Sequence, residues 1–168
     1  MQTTATPPIT VARAEITFRR GMLGWIGAVH FRLEPIGDGS IFAVLHCTDS
    51  VHLHSGVEVP SPSFLVAPPG FFAPRYAVML DDAFANALEL SDPDDAALIA
   101  IITQRDPIER STVNLFSPIV VNRRTWVADQ FVPAAREDEV GWRVRTPIMQ
   151  PGLEPDGLDN AQEGDQTC

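Results

Sequence analysis

The chain has 168 residues and 18.4 kDa, is 45% hydrophobic, and carries 12 basic against 22 acidic residues, a formal net charge of −10. This length supports one domain with a real core, and the composition is globular rather than fibrous or disordered. All the basic residues are arginine, which excludes Schiff-base and P-loop lysine chemistry, and so acidic a body starts at a disadvantage against phosphate backbones.

Residues 1–13 are rich in Thr and Pro and read as a flexible N-terminal lead without the charged start and apolar stretch of a secretory signal. From Ala14 the pattern alternates, Ile16 and Phe18 against Glu15, Thr17 and Arg19, which predicts a half-buried strand. Gly21-Met22-Leu23-Gly24 turns the chain. A second alternating run over Val29–Glu34 is stopped by Pro35 and Gly37-Asp38-Gly39, and Ile41–Cys47 follows as its apolar hairpin partner. Val51, Leu53, Val57 and Val59 suggest one short strand among prolines, and Phe64-Leu65-Val66 and Tyr76–Leu80 two more. Asp81 or Asp82 caps the single expected helix over Ala83–Leu90. Ala97–Thr103 is a continuous apolar run, the signature of a strand buried on both faces. Thr112–Leu115 and Ile119–Val121 are either a strand pair or one strand kinked at Pro118. Trp126–Val132 and Trp142–Thr146 alternate again.

Strands recurring every 10 to 15 residues with one short helix predict an all-β fold, a small closed or partly open β-barrel. Residues 14–148 make up the domain. Residues 149–168, with Glu154, Asp156, Asp159, Glu163 and Asp165 and no basic residue, read as a disordered acidic tail that carries half the net charge. No apolar run approaches the roughly 20 residues of a membrane span. Two cysteines, Cys47 and Cys168, are too few for a disulfide framework. The expectation is a soluble, cytoplasmic protein.

Catalytic motifs are scarce: there is no Gly-x-Ser-x-Gly elbow, Walker loop, Gly-x-Gly-x-x-Gly fingerprint or Cys-x-x-Cys pair. His52 and His54 lie two apart and share one side of a strand, with Glu58 four further on. This His-x-His-x-x-x-Glu resembles half of the metal site of cupins, and His46 is the only further histidine on hand to complete it besides His30. The alternatives are a metal-dependent cupin-like enzyme or two histidines on the exposed face of an edge strand. Cys47 reads as a buried structural thiol. The acidic pairs Asp81/Asp82 and Asp94/Asp95 fall in turns, where solvated carboxylates are ordinary. Asn114, in mid-strand, is either a clamp on a loop or part of a polar recognition spot, because a buried amide must find partners. Asn122 is a strand-ending turn residue.

The run Thr112-Val113-Asn114-Leu115-Phe116-Ser117-Pro118-Ile119-Val120-Val121-Asn122 resembles the Thr-x-Asn-Leu-x-x-Pro-Ile-x-x-Asn segment of the FliW family of flagellar assembly factors. Phe18 to Trp25 is similar to the family's Phe-x-x-Gly-x-x-Gly-aromatic entry, with Gly21 and Gly24 in place. Phe42–Cys47 stands where the family has Phe-x-x-Leu-Gln-Ser, with His46-Cys47 replacing the last pair. Pro74-Arg75-Tyr76, Gln130 and Arg145-Thr146-Pro147-Ile148 match further family positions, so the resemblance runs over about residues 14–148. It implies a small β-barrel protein that is not an enzyme and holds no cofactor or metal. Its implied partners are newly made flagellin in the cytoplasm and the carbon-storage regulator CsrA, an RNA-binding dimer that represses flagellin translation. FliW set free by flagellin export antagonises CsrA. On this reading the free protein is a monomer that contacts neither nucleic acid nor membrane directly. The candidate partner-binding residues are Asn114, Asn122 and Gln130 as polar spots, with Phe116 and Trp126 as anchors or core residues. Asn122→Ala is expected to weaken partner binding without unfolding the protein.

Overall fold

The computed structural model describes residues 1–4, 13–25, 27–52 and 57–149. In chain order the first strands are β1 (Gln2–Thr4), β2 (Ala14–Phe18), β3 (His30–Pro35), β4 (Ala43–Cys47), β5 (Val51–His52) and β6 (Glu58–Val59). Then come β7 (Ser63–Ala67), β8 (Ala77–Met79), helix α1 (Asp82–Ala87) and the long β9 (Ala96–Thr103). The chain continues through β10 (Thr112–Val113), β11 (Ile119–Asn122), β12 (Val127–Gln130), α2 (Glu137–Val140) and β13 (Thr146–Pro147).

Seven strands close a barrel in the order β11-β12-β2-β3-β4-β7-β9, because β9 pairs back onto β11. Closure removes the sheet edges that would otherwise invite association. The β2–β3–β4–β7 wall is antiparallel, with Ile16 opposite Phe31 and Leu33 opposite Leu45. Their alternation puts Ile16, Phe18, Phe31, Leu33 and Leu45 inside the barrel with Ile99, Ile119 and Val121. The Phe18 and Phe31 ring centroids stand 4.9 Å apart. Each such buried side chain contributes roughly 1.5–3 kcal/mol. The remaining join, β2 with β12, is parallel: Thr17 N–H donates to Trp126 O at 3.0 Å and Arg19 N–H to Ala128 O at 2.9 Å.

β9 is buried on both faces, as its apolar run predicts, because a second core covers the outside of the barrel there. Ala97 and Ile99 point into the barrel; Leu98, Ala100 and Ile102 point into an outer layer of Phe72, Tyr76, Leu80, Leu88, Phe131 and Trp142. Tyr76 is fully buried, its hydroxyl donates to Leu115 O at 2.6 Å, and burial pushes its pKa up. Its ring centroid lies 4.9 Å from that of Trp142, whose indole N–H donates to Ala77 O at 3.0 Å.

Several sequence expectations change here. Gln2–Thr4, inside the expected flexible lead, is a strand paired with Ala77–Met79, and Thr3 is fully buried. Besides α1 there is a second short helix, α2, closed by Gly141 at φ +78. β10 and β11 do not pair with each other. Both pair with β9 in succession, β11 along Ala96–Ile99 and β10 along Ile102–Thr103. The single strand expected over Val51–Val59 is a two-strand hairpin whose residues 53–56 lie outside the described set. Trp142–Thr146 is mostly turn: only Thr146–Pro147 pairs, because Trp142 leaves the sheet to fill the outer core. Residues 150–168, the expected acidic tail, and most of the lead lie outside the described residues. No helix among the described residues is long and apolar enough to cross a membrane.

Candidate protein-interaction site

Where β2 and β12 end side by side, the chain opens a groove of ≈ 850 Å³. Three segments line it: Arg19–Trp25 and Gly27 leaving β2, α1 and its cap through Asp81, Ala83, Phe84 and Ala87, and Asp129–Val132 at the end of β12. The first wall turns on Gly21, whose φ of +80 and 3.3 Å clearance from a would-be Cβ to Ala28 O suit only glycine. Met22 N–H then donates to Ala28 O at 2.9 Å and Met22 tucks inward, which leaves Leu23 56% exposed at the rim. α1 starts at Asp81, whose carboxylate accepts from Phe84 N–H at 2.7 Å. Phe84 then meets Phe131 edge-on, centroids 4.9 Å apart, fixing helix to floor. Val132, 52% exposed, continues the floor outward.

The groove is charged asymmetrically. Asp129 is buried (side chain 4% exposed) and receives Arg20 Nε at 2.6 Å, with Arg19 Nε at 3.8 Å. Both arginine side chains reach solvent, Arg20 at 60% and Arg19 at 43% exposure, so this side shows cations to an incoming partner while the carboxylate stays behind them. The other wall offers the Asp81 carboxylate.

Neither candidate asparagine lines the groove; Asn114 stands behind its floor, and Asn122 lies at the far end of β11, beside Trp126. Asn122 is fully buried, and its amide is consumed: Nδ2 donates to Leu88 O at 2.8 Å and Glu89 O at 3.2 Å. Its Oδ1 accepts from Arg124 N–H at 2.8 Å and Thr125 N–H at 3.3 Å. Asn122 therefore ties the turn after α1 to the β11–β12 hairpin and presents no atom to a partner, which corrects the expectation of a contact residue. Asn114 Oδ1 accepts from Ser117 N–H at 2.9 Å, closing a side-chain turn. Ser117 in turn donates its hydroxyl to Phe131 O at 2.8 Å, and its carbonyl accepts from Gln130 Nε2 at 3.3 Å. Asn114, Ser117 and Gln130 thus fix the end of β12 from behind. Gln130, 9% exposed, is the candidate that lines the groove. Phe116 is half-buried, and its N–H donates to Arg143 O at 3.2 Å.

Trp126 lies at the opposite, N-terminal end of β12. It is 40% exposed at φ +59, an unusual conformation for a bulky residue, held by its N–H to Asn122 O at 2.8 Å. Glu89, whose carbonyl Asn122 binds, also has a positive φ, +54.

Among the described residues the histidines do not come together as a metal reading requires. His46 Nδ1 lies 2.8 Å from Ser63 Oγ and Nε2 3.7 Å from Glu34. His30 pairs with Asp49 at 2.9 Å. His52 stands opposite Glu58 in register, and His54 lies outside the described residues. Among the described residues no three His, Cys, Asp or Glu groups are placed to hold an ion. Burial would raise the Asp49 pKa, but hydrogen bonds from the His30 N–H, the His30 ring and the Val29 N–H outweigh it and hold the carboxyl below its ordinary value. Burial pushes the Cys47 thiol up.

Sequence reasoning missed Arg19, Arg20, Leu23, Asp81 and Asp129. The glycines after Phe18 signalled a tight loop, and Asp81 signalled a helix cap, but nothing in the spacing shows that residues 19–27, 81–87 and 129–132 meet.

A closed seven-stranded β-barrel, with one wall sandwiched under an outer apolar layer and a groove at the end of its parallel strand pair, defines the structural class. A family model described as FliW protein matches residues 1–148. The flagellar assembly factor FliW of Bacillus licheniformis is 36% identical over 117 residues, 70% of this chain and 76% of that protein. Its counterpart from Bacillus subtilis is 32% identical over the same length and the same shares. A crystal structure of the flagellar assembly factor FliW shares the fold, with a TM-score of 0.67, 23% identity, and coverage of 80% of this chain and 84% of that one. The chain belongs to the FliW family of flagellar assembly factors.

Proposed function

We propose that this flagellar assembly factor binds flagellin in the cytoplasm and antagonises CsrA, coupling the level of flagellin to its translation. It works by protein–protein contact rather than catalysis. The observation that carries the reading is the groove: exposed Leu23 and Val132 over an apolar floor, rimmed by solvated arginines, make a surface suited to a protein segment. Gln130 lines it, Asn114 and Phe116 shape the turn behind it, and Trp126 supplies a separate exposed anchor. A competition experiment tests this reading. CsrA co-eluting with the protein in size exclusion should be released as flagellin is added. Failure of either protein to co-elute removes that partner, and CsrA retained at saturating flagellin removes the coupling.

A further inference from the structure

The last described residues, Ile148 and Met149, lie at the β10–β13 end of the sheet, where the surface is unlike the rest of an acidic protein. Two stretches meet there, Arg105–Arg110 leading into β10 and Arg143–Arg145 leading into β13. Hydrogen bonds join them through Ser111: Arg105 N–H donates to its Oγ at 2.9 Å, and Ile148 N–H to its carbonyl at 3.2 Å. Thr112 stands opposite Pro147 in register. Over residues 103–111 and 142–149, four arginines stand against two carboxylates, Asp106 and Glu109, a local balance of +2 in a chain of −10. Arg105, Arg110 and Arg145 are exposed, and no ion pair among the described residues involves them. The same segments leave apolar side chains in solvent: Ile108 is 48% exposed, Val144 39% and Met149 60%.

Residues 150–168 hold the complementary chemistry: Glu154, Asp156, Asp159, Glu163 and Asp165 with no basic residue, and Leu153 and Leu158 among them. At no more than about 3.6 Å per residue, Glu154 stays within about 18 Å of Met149, and Asp159 within about 36 Å. Covalent attachment holds these carboxylates near the arginines at a roughly millimolar effective concentration, so contacts of ordinary surface strength become populated. Pro147, in the outermost strand of that sheet, has no N–H to offer an added strand, so side chains make the contact. We infer that residues 153–159 dock on the chain's own β10–β13 end. Glu154, Asp156 and Asp159 face Arg105, Arg110 and Arg145, and Leu153 and Leu158 cover Ile108 and Val144. Seated there, the segment withdraws three arginines from any other acidic surface. The inference is independent of the proposed flagellin and CsrA binding.

The test is paramagnetic broadening in NMR spectra of the full chain. A nitroxide is placed at residue 161 by Ala161→Cys with Cys168→Ser; Cys47, 8% exposed, stays unlabelled. Amide signals of Ile108, Glu109 and Arg110, some fifty positions away in sequence, should broaden. Arg110→Glu with Arg145→Glu should relieve that broadening by about half or more, and so should about 1 M salt, which shortens the screening length to about 3 Å. Should the arginine variant fail to fold, Glu154→Gln, Asp156→Asn and Asp159→Asn remove the same charges without touching a described residue, with the same relief expected. Arg32→Ala, on β3 beside Glu15, is the control and should leave the pattern unchanged. Broadening at Ile108–Arg110 that ignores every charge change overturns the docking, because tethering alone would then account for it. Broadening centred on another face, such as Arg19 and Arg20, overturns the site. Mixing nitroxide-labelled chain with isotope-enriched unlabelled chain should give no broadening; transfer between molecules would make the occupant a second copy and overturn the intramolecular contact.

Discussion

Asn122 and Leu88 are 34 positions apart and joined by a 2.8 Å hydrogen bond from the buried side-chain amide to the carbonyl at the end of α1. The same amide reaches Glu89 O, while its oxygen caps the tight turn at Arg124 and Thr125. One side chain thus locks the helical wall of the groove to the β11–β12 hairpin. Asn122→Ala should therefore lower stability by about 2–4 kcal/mol, since it strands Leu88 O and the Arg124 and Thr125 N–H groups at once, Glu89 O keeping the Arg124 guanidinium. Thermal unfolding reads this as a clear drop in Tm. An unchanged Tm with lost partner binding would return Asn122 to the role of a contact.

Trp126 makes the opposite case. Its indole is 40% exposed and its backbone is left-handed, so removing the side chain relieves strain and empties no core. Trp126→Gly should fall within about 1 kcal/mol of the parent in denaturant unfolding. It should also weaken binding if the indole is an anchor. A loss of more than about 3 kcal/mol would mean that the ring is part of the core.

Asp129 is buried behind two arginines and also accepts from Gln130 N–H at 3.0 Å. Asp129→Ala leaves that N–H unmet and should destabilise by about 1–3 kcal/mol. Arg20→Ala should cost less, because the arginine is mostly solvated and Arg19 remains beside the carboxylate. Chemical denaturation of the two variants gives the order directly, and the reverse order contradicts this geometry.

Acid sensitivity should centre on Asp49. Its folded pKa is depressed below 3.8, so its stabilising contribution is fully present above the ordinary value and disappears as pH falls through the folded one. Unfolding midpoints should hold from neutral pH down to about 4 and decline below it. Asp49→Asn should flatten that decline. An identical acid limb in the variant assigns the loss to other carboxylates.

How far the chain could be read without its structure follows from the range of each interaction. Ile16/Phe18, Phe31/Leu33 and the apolar run of β9 were legible because alternation or its absence reports which faces are covered. The Asp81 cap was legible because it acts within one turn. Asn122 was misread as a contact because its partners, Leu88 and Glu89, come from a different element, and a polar residue at a strand end looks the same buried or exposed. β1 was missed because three residues carry no period, and its pairing with β8 spans 73 positions even at the nearest pair, Thr4 with Ala77. The groove was invisible for a related reason: its walls meet only after the parallel β2–β12 join is made, and no local pattern specifies that join.

The central claim is partner recognition, and the most direct measurement is titration calorimetry of the folded full chain with its organism's flagellin, repeated with CsrA. Saturable heat with both proteins, and loss of the CsrA heat when the chain is first saturated with flagellin, is the expected result. No heat with either partner, from a sample that unfolds cooperatively, would contradict the account and leave the family and the fold without this function.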